Sequence, residues 1–398
     1  MLSALNNRVK PLAAFILTPL LISALACTSG DGRQAQPAAK SDTYWTKEQI
    51  DFFGEKYAIH DRGYHYHFPR QSFLEFGYYP PGGYIKDFSI LNYDGRWHVF
   101  HIDGRQEQIC WITGNEIAFG HASTADFEHW IRHNMPLAIG DGPYDNKHVW
   151  APFVYPARGK FYMFYMGEGT EGTYIAYATS GNLETWQKQR SIKIARGRDP
   201  FVFKHDGKYI LAFTAHYEVR NCQALGACWS SDLETWQPLP EIMLTKHGGP
   251  ESSSIHKFDD SRFVLWVNDW GDSSPQQPET YRACYAFSEN PLHFDGEKLT
   301  TFKFSHGPDQ VPLDAEWNEP NGMNTQAPGA IELVAKGADS VWLIAYYRII
   351  GKGFRLFFGE LDWKTDPATI REINSAEHLG SVLKKVGLEP GQPVRWPQ

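Results

Sequence analysis

Short apolar stretches separated by polar turns recur along the chain and predict strands. Five of them share one pattern, in which a polar turn precedes Lys, Arg or a small polar residue and then an aromatic residue within an apolar strand: residues 94–100, 158–164, 206–212, 260–266 and 338–344. The Asp-Gly-Lys/Arg form of this turn suits a tight hairpin, because Gly adopts positive φ without steric cost. No long segment with a 3.6-residue apolar period competes with this interpretation.

Each of these strands is followed by a second strand of small residues and then by a closing aromatic residue: Trp130, Trp186, Trp236, Phe294 and Trp363. Residues 123–130, 179–186 and 230–236 are near-copies of one another. A unit of roughly 50 residues with about four short strands is typical of a propeller blade. The pattern therefore predicts an all-β fold, a single five-bladed β-propeller of four-stranded blades over residues 60–365. A plain sandwich would not explain five repeats.

The first 27 residues have the pattern of an export signal. Arg8 and Lys10 precede an apolar run, Leu12 to Ala26, that is too short to span a bilayer. Cys27 follows Leu-Ala as in a bacterial lipobox, whose Cys receives lipid; an ordinary cleaved signal with an incidental Cys is the alternative. We expect an exported protein of the bacterial cell envelope, periplasmic or surface-exposed, held to a membrane only through a lipid anchor on Cys27.

Two further segments flank the predicted propeller. Residues 28–59 begin with small polar residues and predict a flexible tether and N-terminal lead-in. Residues 366–398 predict a C-terminal extension that packs on the propeller, with a short helix from Glu377 to Val386.

Composition narrows the possible partners. The apolar share of 42% is enough for a large core, and the net charge of −8 argues against nucleic acid as a partner. No Cys or His spacing is typical of a metal site, and no nucleotide-binding fingerprint occurs, so no cofactor is expected. Cys222 and Cys228 could bridge a loop in an oxidising compartment, although a small buried thiol is the alternative for Cys228.

Three carboxylates stand out where the predicted first strands of the blades begin. Asp87, Asp199 and Glu251 fall at equivalent places in three blades, so we expect them to converge on the central cavity. Clustered carboxylates repel one another, and at least one should have a raised pKa. Glycosidic cleavage needs such a set, because one protonated acid supports the leaving oxygen while an ionised group attacks carbon or activates water. Surface turn residues or a cation site are the alternatives.

Four neighbouring residues are candidates for substrate binding. Arg198 could bond sugar hydroxyls or pair with a carboxylate, and Trp150 could stack on the apolar face of a sugar or pack in the core. His148 and His216 could line the cavity or serve as structural histidines.

Over residues 80–295 the sequence resembles the five-bladed propeller glycosidases of glycoside hydrolase families 32 and 43. The Arg198-Asp199-Pro200 element and the blade end from Gly120 to Trp130 are similar to family 32, and Trp150-Ala151-Pro152 is also seen in family 43. The resemblance implies that Asp87 is the nucleophile or general base, that Asp199 tunes pKa and holds sugar hydroxyls, and that Glu251 is the general acid. It departs from family 32 at the flanks of Asp87, where the Asn-Asp-Pro-Asn-Gly element is absent.

The leading hypothesis is therefore a glycoside hydrolase that cleaves O-glycosidic bonds of an oligosaccharide or polysaccharide, with a fructofuranoside or arabinofuranoside as the expected sugar. A non-catalytic carbohydrate-binding propeller lipoprotein is the alternative, and it would not need all three carboxylates. A structural propeller would instead place apolar or random residues at the axis. Whether configuration is retained or inverted stays open, with retention slightly favoured.

Overall fold

The computed structural model describes residues 73–80, 83–105, 113–217, 222–239, 243–245, 249–269, 282–305, 328–350 and 353–389. The predicted signal with Cys27, the tether and lead-in to residue 59, and the last residues of the predicted C-terminal extension lie outside this part of the chain.

The described strands form six sheets: five are propeller blades, and the sixth pairs two short strands, Leu244–Thr245 and Phe294–Asp295. A short helix, α1, comes first at Phe73–Phe76. Blade 1 contains β1 to β5, at Gly83–Tyr93, Arg96–Arg105, Ala118–Thr124, Trp130–Arg132 and Leu137–Ala138. Blade 2 contains β6 to β9, at His148–Ala157, Lys160–Gly169, Gly172–Ser180 and Gln187–Ser191. Blade 3 contains β10 to β13, at Gly197–His205, Lys208–Tyr217, Cys222–Ser230 and Trp236–Leu239.

The second half of the ring has the same construction. Blade 4 contains β15 (Pro250–Lys257), β16 (Phe263–Asp269), β17 (Arg282–Ser288) and β19 (Thr300–Thr301). Three short elements lie outside this sheet: β14 (Leu244–Thr245) before it, and β18 (Phe294–Asp295) and a 3-10 turn (Gly296–Lys298) between β17 and β19. Blade 5 contains β21 to β24, at Gly329–Lys336, Val341–Ile350, Gly353–Asp362 and Thr369–Glu372, and β20, Lys303–Ser305, adds to it as an edge strand parallel to β24. A helix, α2, follows at Ala376–Lys385. The predicted all-β, five-bladed propeller of four-stranded blades is confirmed.

The predicted hairpin turns explain the register of the first two strands in three blades. Asp94-Gly95, Arg158-Gly159 and Asp206-Gly207 all have positive φ at both residues, which is the twist that a two-residue β-hairpin needs. The first strands, β1, β6, β10, β15 and β21, each contact the first strands of the adjacent blades and so form the wall of a central axis.

The near-copies before the closing tryptophans form one repeated turn. The hydroxyl of Thr124, Ser180 or Ser230 accepts a hydrogen bond from the N–H three residues later, at 2.7 to 2.9 Å. The indoles of Trp130 and Trp186 then donate to the backbone oxygens of Phe127 and Leu183. These aromatic residues are therefore structural, as the sequence pattern predicted.

The segment before blade 1 and the C-terminal helix both pack on blade 5. Tyr78 exchanges two backbone hydrogen bonds of 2.8 Å with Leu356 of β23, and its ring stacks on Trp130 of blade 1. Helix α2 begins at the Ser375 N-cap and buries Leu379, Val382 and Leu383. It confirms the predicted helix to within one residue at each end.

The alternative of a Cys222–Cys228 bridge is wrong. Both residues lie on β12, six positions apart, which at ~3.3 Å per residue separates them by about 20 Å. This distance far exceeds the reach of a disulfide, and Cys228 is a free, buried thiol. Among the described residues, no helix is long and apolar enough to cross a membrane.

Candidate active site

The first strand of every blade contains a bulge at the same height on the axis. The pairing with the second strand slips between Lys86 and Phe88, Trp150 and Phe153, Arg198 and Phe201, Glu251 and Ser254, and Gly329 and Glu332. One residue in each bulge has positive φ, between 36° and 54°: Asp87, Ala151, Asp199, Ser252 and Ala330. Strained backbone of this kind clusters at functional sites.

These five bulge residues line one cavity. Its wall comprises Asp87, Phe88, Ala151, Pro152, Phe153, Asp199, Pro200, Ser252, Ser253, Ala330 and Glu332. Small side chains at three of the bulges leave the space, while the two aspartates supply the charge. The prediction that Asp87 and Asp199 face one axial cavity agrees with this geometry.

Glu251 is not equivalent to the two aspartates, which corrects the prediction. The positive φ of blade 4 belongs to Ser252, so Glu251 lies one position earlier and matches Lys86, Trp150 and Arg198. The bulge turns Ser252 rather than Glu251 to the cavity wall. Glu251 therefore belongs to a second set of residues, the pre-bulge set, which also includes Gly329 of blade 5.

Asp199 connects blade 3 to blade 4. Its Oδ2 accepts hydrogen bonds from the Ser252 N–H at 3.0 Å and from the Thr214 hydroxyl at 3.3 Å. Burial raises the pKa of Asp199; the Arg198 guanidinium opposes this effect, and the Glu251 carboxylate adds to it. Asp199 is buried, with 8% of its surface exposed.

Asp87 also has a raised pKa. Burial raises the pKa of Asp87 to about 8, the adjacent Lys86 opposes the shift, and the charges of Asp199, Glu251 and Glu116 reinforce it. The expectation that clustering raises the pKa of at least one carboxyl is thus met at Asp87 and Asp199, with burial as the larger cause.

Glu251 is paired with a cation and is more exposed. Arg198 Nη1 donates to Glu251 Oε1 at 3.0 Å, and the Glu251 side chain is 16% exposed. The Arg198 Nε also lies 3.6 Å from Asp199 Oδ2. The carboxylate-pairing alternative for Arg198 is therefore present in the structure, and both of its partners belong to the predicted acids.

Trp150 and His148 form a stacked pair at the start of β6. Their ring centroids are 4.6 Å apart with an interplanar angle of 11°. Trp150 Nε1 donates to Glu116 Oε2 at 2.5 Å, and His148 Nδ1 lies 2.9 Å from Glu168 Oε2. His216 is on β11 opposite Gln223, and its side chain lies outside the described part of the structure.

Two glutamates of the site were missed from the sequence. Glu332 lines the cavity together with Asp87 and Asp199, and burial raises its pKa to about 8. A single acid in the apolar run from Gly329 to Ala335 was the available signal. Glu116 precedes β3 in an irregular segment whose sequence has no comparable signal.

One histidine cluster has the composition of a metal site but not the geometry. His98, His121 and His133 place three ring nitrogens within 4.8 Å of one another. The rings of His121 and His133, however, stack 4.1 Å apart at 17°. Imidazole lone pairs lie in the ring plane, so a single ion could not lie in both planes at once. The cluster instead joins blade 1 to blade 2, since His133 Nδ1 lies 2.8 Å from Glu184 Oε1.

Comparison with known families places the chain in one family of glycosyl hydrolases. The sequence profile of the glycosyl hydrolases family 32 N-terminal domain matches residues 78–309, which include every predicted acid and four of the five first strands. A search of curated protein sequences found no match.

Solved structures share the fold at low sequence identity. The GH43_1 enzyme from Xanthomonas citri complexed with xylose has 16% identity and a TM-score of 0.53, covering 73% of this chain and 91% of that one. A GH43 β-xylosidase/α-arabinofuranosidase from a compost microbial metagenome, in complex with xylotriose, has 17% identity and a TM-score of 0.52, covering 72% and 94%. The endo-arabinase from Bacteroides thetaiotaomicron has 13% identity and a TM-score of 0.50, covering 69% and 93%.

Proposed function

Because the chain belongs to the glycosyl hydrolases of family 32 and is a glycoside hydrolase, we propose that it cleaves furanosidic O-glycosidic bonds in oligosaccharides with Asp87, Asp199 and Glu251. The observation that carries the proposal is the grouping of these acids at the axis: Asp87 and Asp199 line one cavity, and Arg198 joins Glu251 to Asp199. One structural neighbour is a β-xylosidase/α-arabinofuranosidase and another is an endo-arabinase, and the arabinofuranosidase activity of the first favours a furanoside substrate.

The proposed roles are those that the resemblance to families 32 and 43 implies. Glu251 is the general acid, and its partly exposed side chain, paired with Arg198, is accessible to a leaving oxygen. Asp87 is the nucleophile or general base at the cavity wall, and Asp199 orients sugar hydroxyls while its charge acts on both of its neighbours.

The raised pKa of Asp87 gives this assignment a definite pH dependence. With a pKa of about 8, Asp87 is mostly protonated at neutral pH, whereas a nucleophile or base must be ionised. We therefore expect kcat/KM to rise with pH through a limb near 8. A limb that falls near 8 would instead identify Asp87 as the acid and exchange the proposed roles.

Retention of configuration is the favoured stereochemical outcome, on the basis of the family 32 match. In a retaining reaction Asp87 would attack the anomeric carbon, the carbon–oxygen bond to the leaving sugar would break, and Glu251 would protonate that oxygen. Water would then hydrolyse the glycosyl–enzyme ester with Glu251 as base. NMR detection of the opposite anomer as the first product would exclude this course.

The test begins with the purified protein on a panel of aryl furanosides and pyranosides. Glu251→Gln should lower the rate on substrates with poor leaving groups by ~10²-fold or more, and much less on activated aryl glycosides. Glu234→Gln is the matched control, since Glu234 lies on an exposed turn of blade 3 and pairs with Lys160. Equal losses on both substrate classes would reassign Glu251.

For localisation we propose export and lipid attachment at Cys27, on the basis of the Leu-Ala-Cys element alone. Cys27→Ser should abolish labelling by a palmitate analogue and release the protein from the membrane fraction. Unchanged labelling and membrane association of this variant would refute the anchor.

A further inference from the structure

We propose that Glu116 is a positioning residue of the candidate active site, holding the Lys86 ammonium beside Asp87 and the Trp150 indole next to the Ala151 bulge of the cavity wall. The proposal deepens the proposed function and rests on it for its catalytic consequence. Its structural part concerns the free protein and can be tested without a substrate.

Glu116 is a buried carboxylate that connects two blades. It is 1% exposed, and its backbone φ is 51°, an unfavourable value for a glutamate. Its carbonyl oxygen accepts from the Val149 N–H at 3.3 Å, which ties this segment of blade 1 to the first strand of blade 2. A buried charge is retained only where paired groups compensate its desolvation.

Both oxygens of Glu116 are used by residues of the site. Oε1 accepts from the Tyr84 hydroxyl at 2.8 Å and lies 3.9 Å from Lys86 Nζ. Oε2 accepts from Trp150 Nε1. Asn115 Nδ2 donates to the Tyr84 oxygen at 3.0 Å and so fixes the hydroxyl that binds Glu116. Lys86 and Trp150 both belong to the pre-bulge set, and one carboxylate therefore orients two of its members.

The charges around Asp87 determine the direction in which its pKa should shift when Glu116 or Lys86 is neutralised. The groups that act on the Asp87 carboxyl are Lys86, Asp199, Glu251 and Glu116, and Glu332 lines the same cavity. Glu116 raises the pKa of Asp87 through its negative charge, and it also shares the Lys86 ammonium that would otherwise act on Asp87 alone. Neutralising Glu116 removes the repulsion and frees Lys86, so both effects lower the pKa of Asp87. Neutralising Lys86 has the opposite effect.

The experiment titrates the Asp87 carboxyl carbon by NMR in the free, full-length protein and in two variants. Glu116→Gln, which keeps an acceptor for Trp150, should move the Asp87 midpoint to lower pH by ~0.5 unit or more, and Lys86→Met should move it upward by a similar amount. Glu372→Gln is the matched control: Glu372 is also buried, accepts from the Tyr346 hydroxyl and pairs with Arg348 in blade 5. It should leave the midpoint unchanged.

Opposite shifts in the two variants support the proposal. An Asp87 midpoint that stays at its wild-type value or moves upward in Glu116→Gln would overturn it and leave Glu116 with a packing role alone. If Glu116→Gln does not fold, Glu116→Asp replaces it: this variant keeps the charge but draws the carboxylate away from Lys86 Nζ and Trp150 Nε1, so it should also lower the midpoint, and an unchanged midpoint would overturn the proposal.

Kinetics then separates this inference from the proposed function. Where hydrolysis is measurable, the pH limb of kcat/KM should follow the NMR midpoints in both variants. If the midpoints shift as expected while no furanoside or pyranoside is hydrolysed, the positioning role stands and the proposed function fails.

Discussion

Arg198 Nη1 lies 3.0 Å from Glu251 Oε1, and the same guanidinium has its Nε 3.6 Å from Asp199 Oδ2. One side chain from blade 3 therefore holds an acid of its own blade and an acid of the next. This arrangement explains how Glu251 can belong to the site although it does not occupy a bulge position. It also makes Arg198 the residue whose loss should affect two acids together.

Arg198→Met should lower kcat/KM on furanosides by about 10- to 100-fold, since charge-assisted hydrogen bonds are worth roughly 1.5–3 kcal/mol. Arg198→Lys should recover only part of the loss, because an ammonium lacks the planar fork that reaches two carboxylates. Arg190→Met, at an exposed hydrogen bond to the Glu234 backbone, is the control. Full activity in Arg198→Met would show that the two acids need no bridging cation.

Asp87→Asn should stabilise the protein in alkaline solution. The folded pKa of Asp87, about 8, exceeds its unfolded value, so the folded state binds more protons between pH 3.8 and 8 and loses stability as pH rises through that window. The variant removes this loss and should raise Tm at pH 8.5 by about 2–4 °C or more, with a smaller effect at pH 4. Asp126→Asn should have the opposite sign, because hydrogen bonds from His129 and Glu128 lower the pKa of Asp126 despite partial burial. An equal gain for Asp87→Asn at both pH values would contradict the electrostatic cause.

Trp150→Ala should raise KM about 10-fold with kcat changed far less, because the variant removes the aromatic face on which the proposed sugar stacks. Trp150→Phe keeps an aromatic face but loses the hydrogen bond to Glu116, so its KM should lie between those of the unmodified protein and Trp150→Ala. Trp186→Phe loses an equivalent indole bond at the outer edge of blade 2 and serves as the control. An unchanged KM in Trp150→Ala would assign Trp150 to packing.

His98→Gln should reduce the acid sensitivity of folding. Burial lowers the pKa of His98 to about 4, aided by the charges of His133 and Arg96. The unfolded chain therefore binds more protons below pH 6.5, and stability falls as pH drops from 6.5 towards 4, by about 2 kcal/mol at pH 5 for one such histidine. Urea unfolding at pH 7 and pH 5 measures this difference, with the exposed His129→Gln as reference. The same pH-dependent loss in both variants would contradict the prediction.

Much of the fold could be predicted because its determinants are local in sequence. The Asp-Gly turns fix the hairpins of blades 1 and 3, and the Ser/Thr turn before Trp130, Trp186 and Trp236 repeats almost unchanged. The alternation of apolar and polar residues along each strand then determines which face of the strand packs in the core. These short-range signals recur often enough to count the blades.

The site could be predicted only in part, because bulges depend on pairing between strands. Asp199 precedes Pro200 and Ala151 precedes Pro152, whereas Glu251 follows Pro250. This displaced proline was a signal that Glu251 is offset by one position, and it was missed. Glu116 could not be found at all, since its role arises from Tyr84 and Trp150, both more than 30 residues away in sequence.

The five bulges have a consequence for how such a protein can change over evolutionary time. Ala151, Ser252 and Ala330 adopt the same strained backbone as Asp87 and Asp199, although they carry no charge. The backbone that presents an acid is therefore maintained independently of the acid itself. A single substitution such as Ala151→Asp would place a carboxylate in an equivalent orientation on another blade, and new reaction geometries are thus accessible to this architecture by point mutation alone.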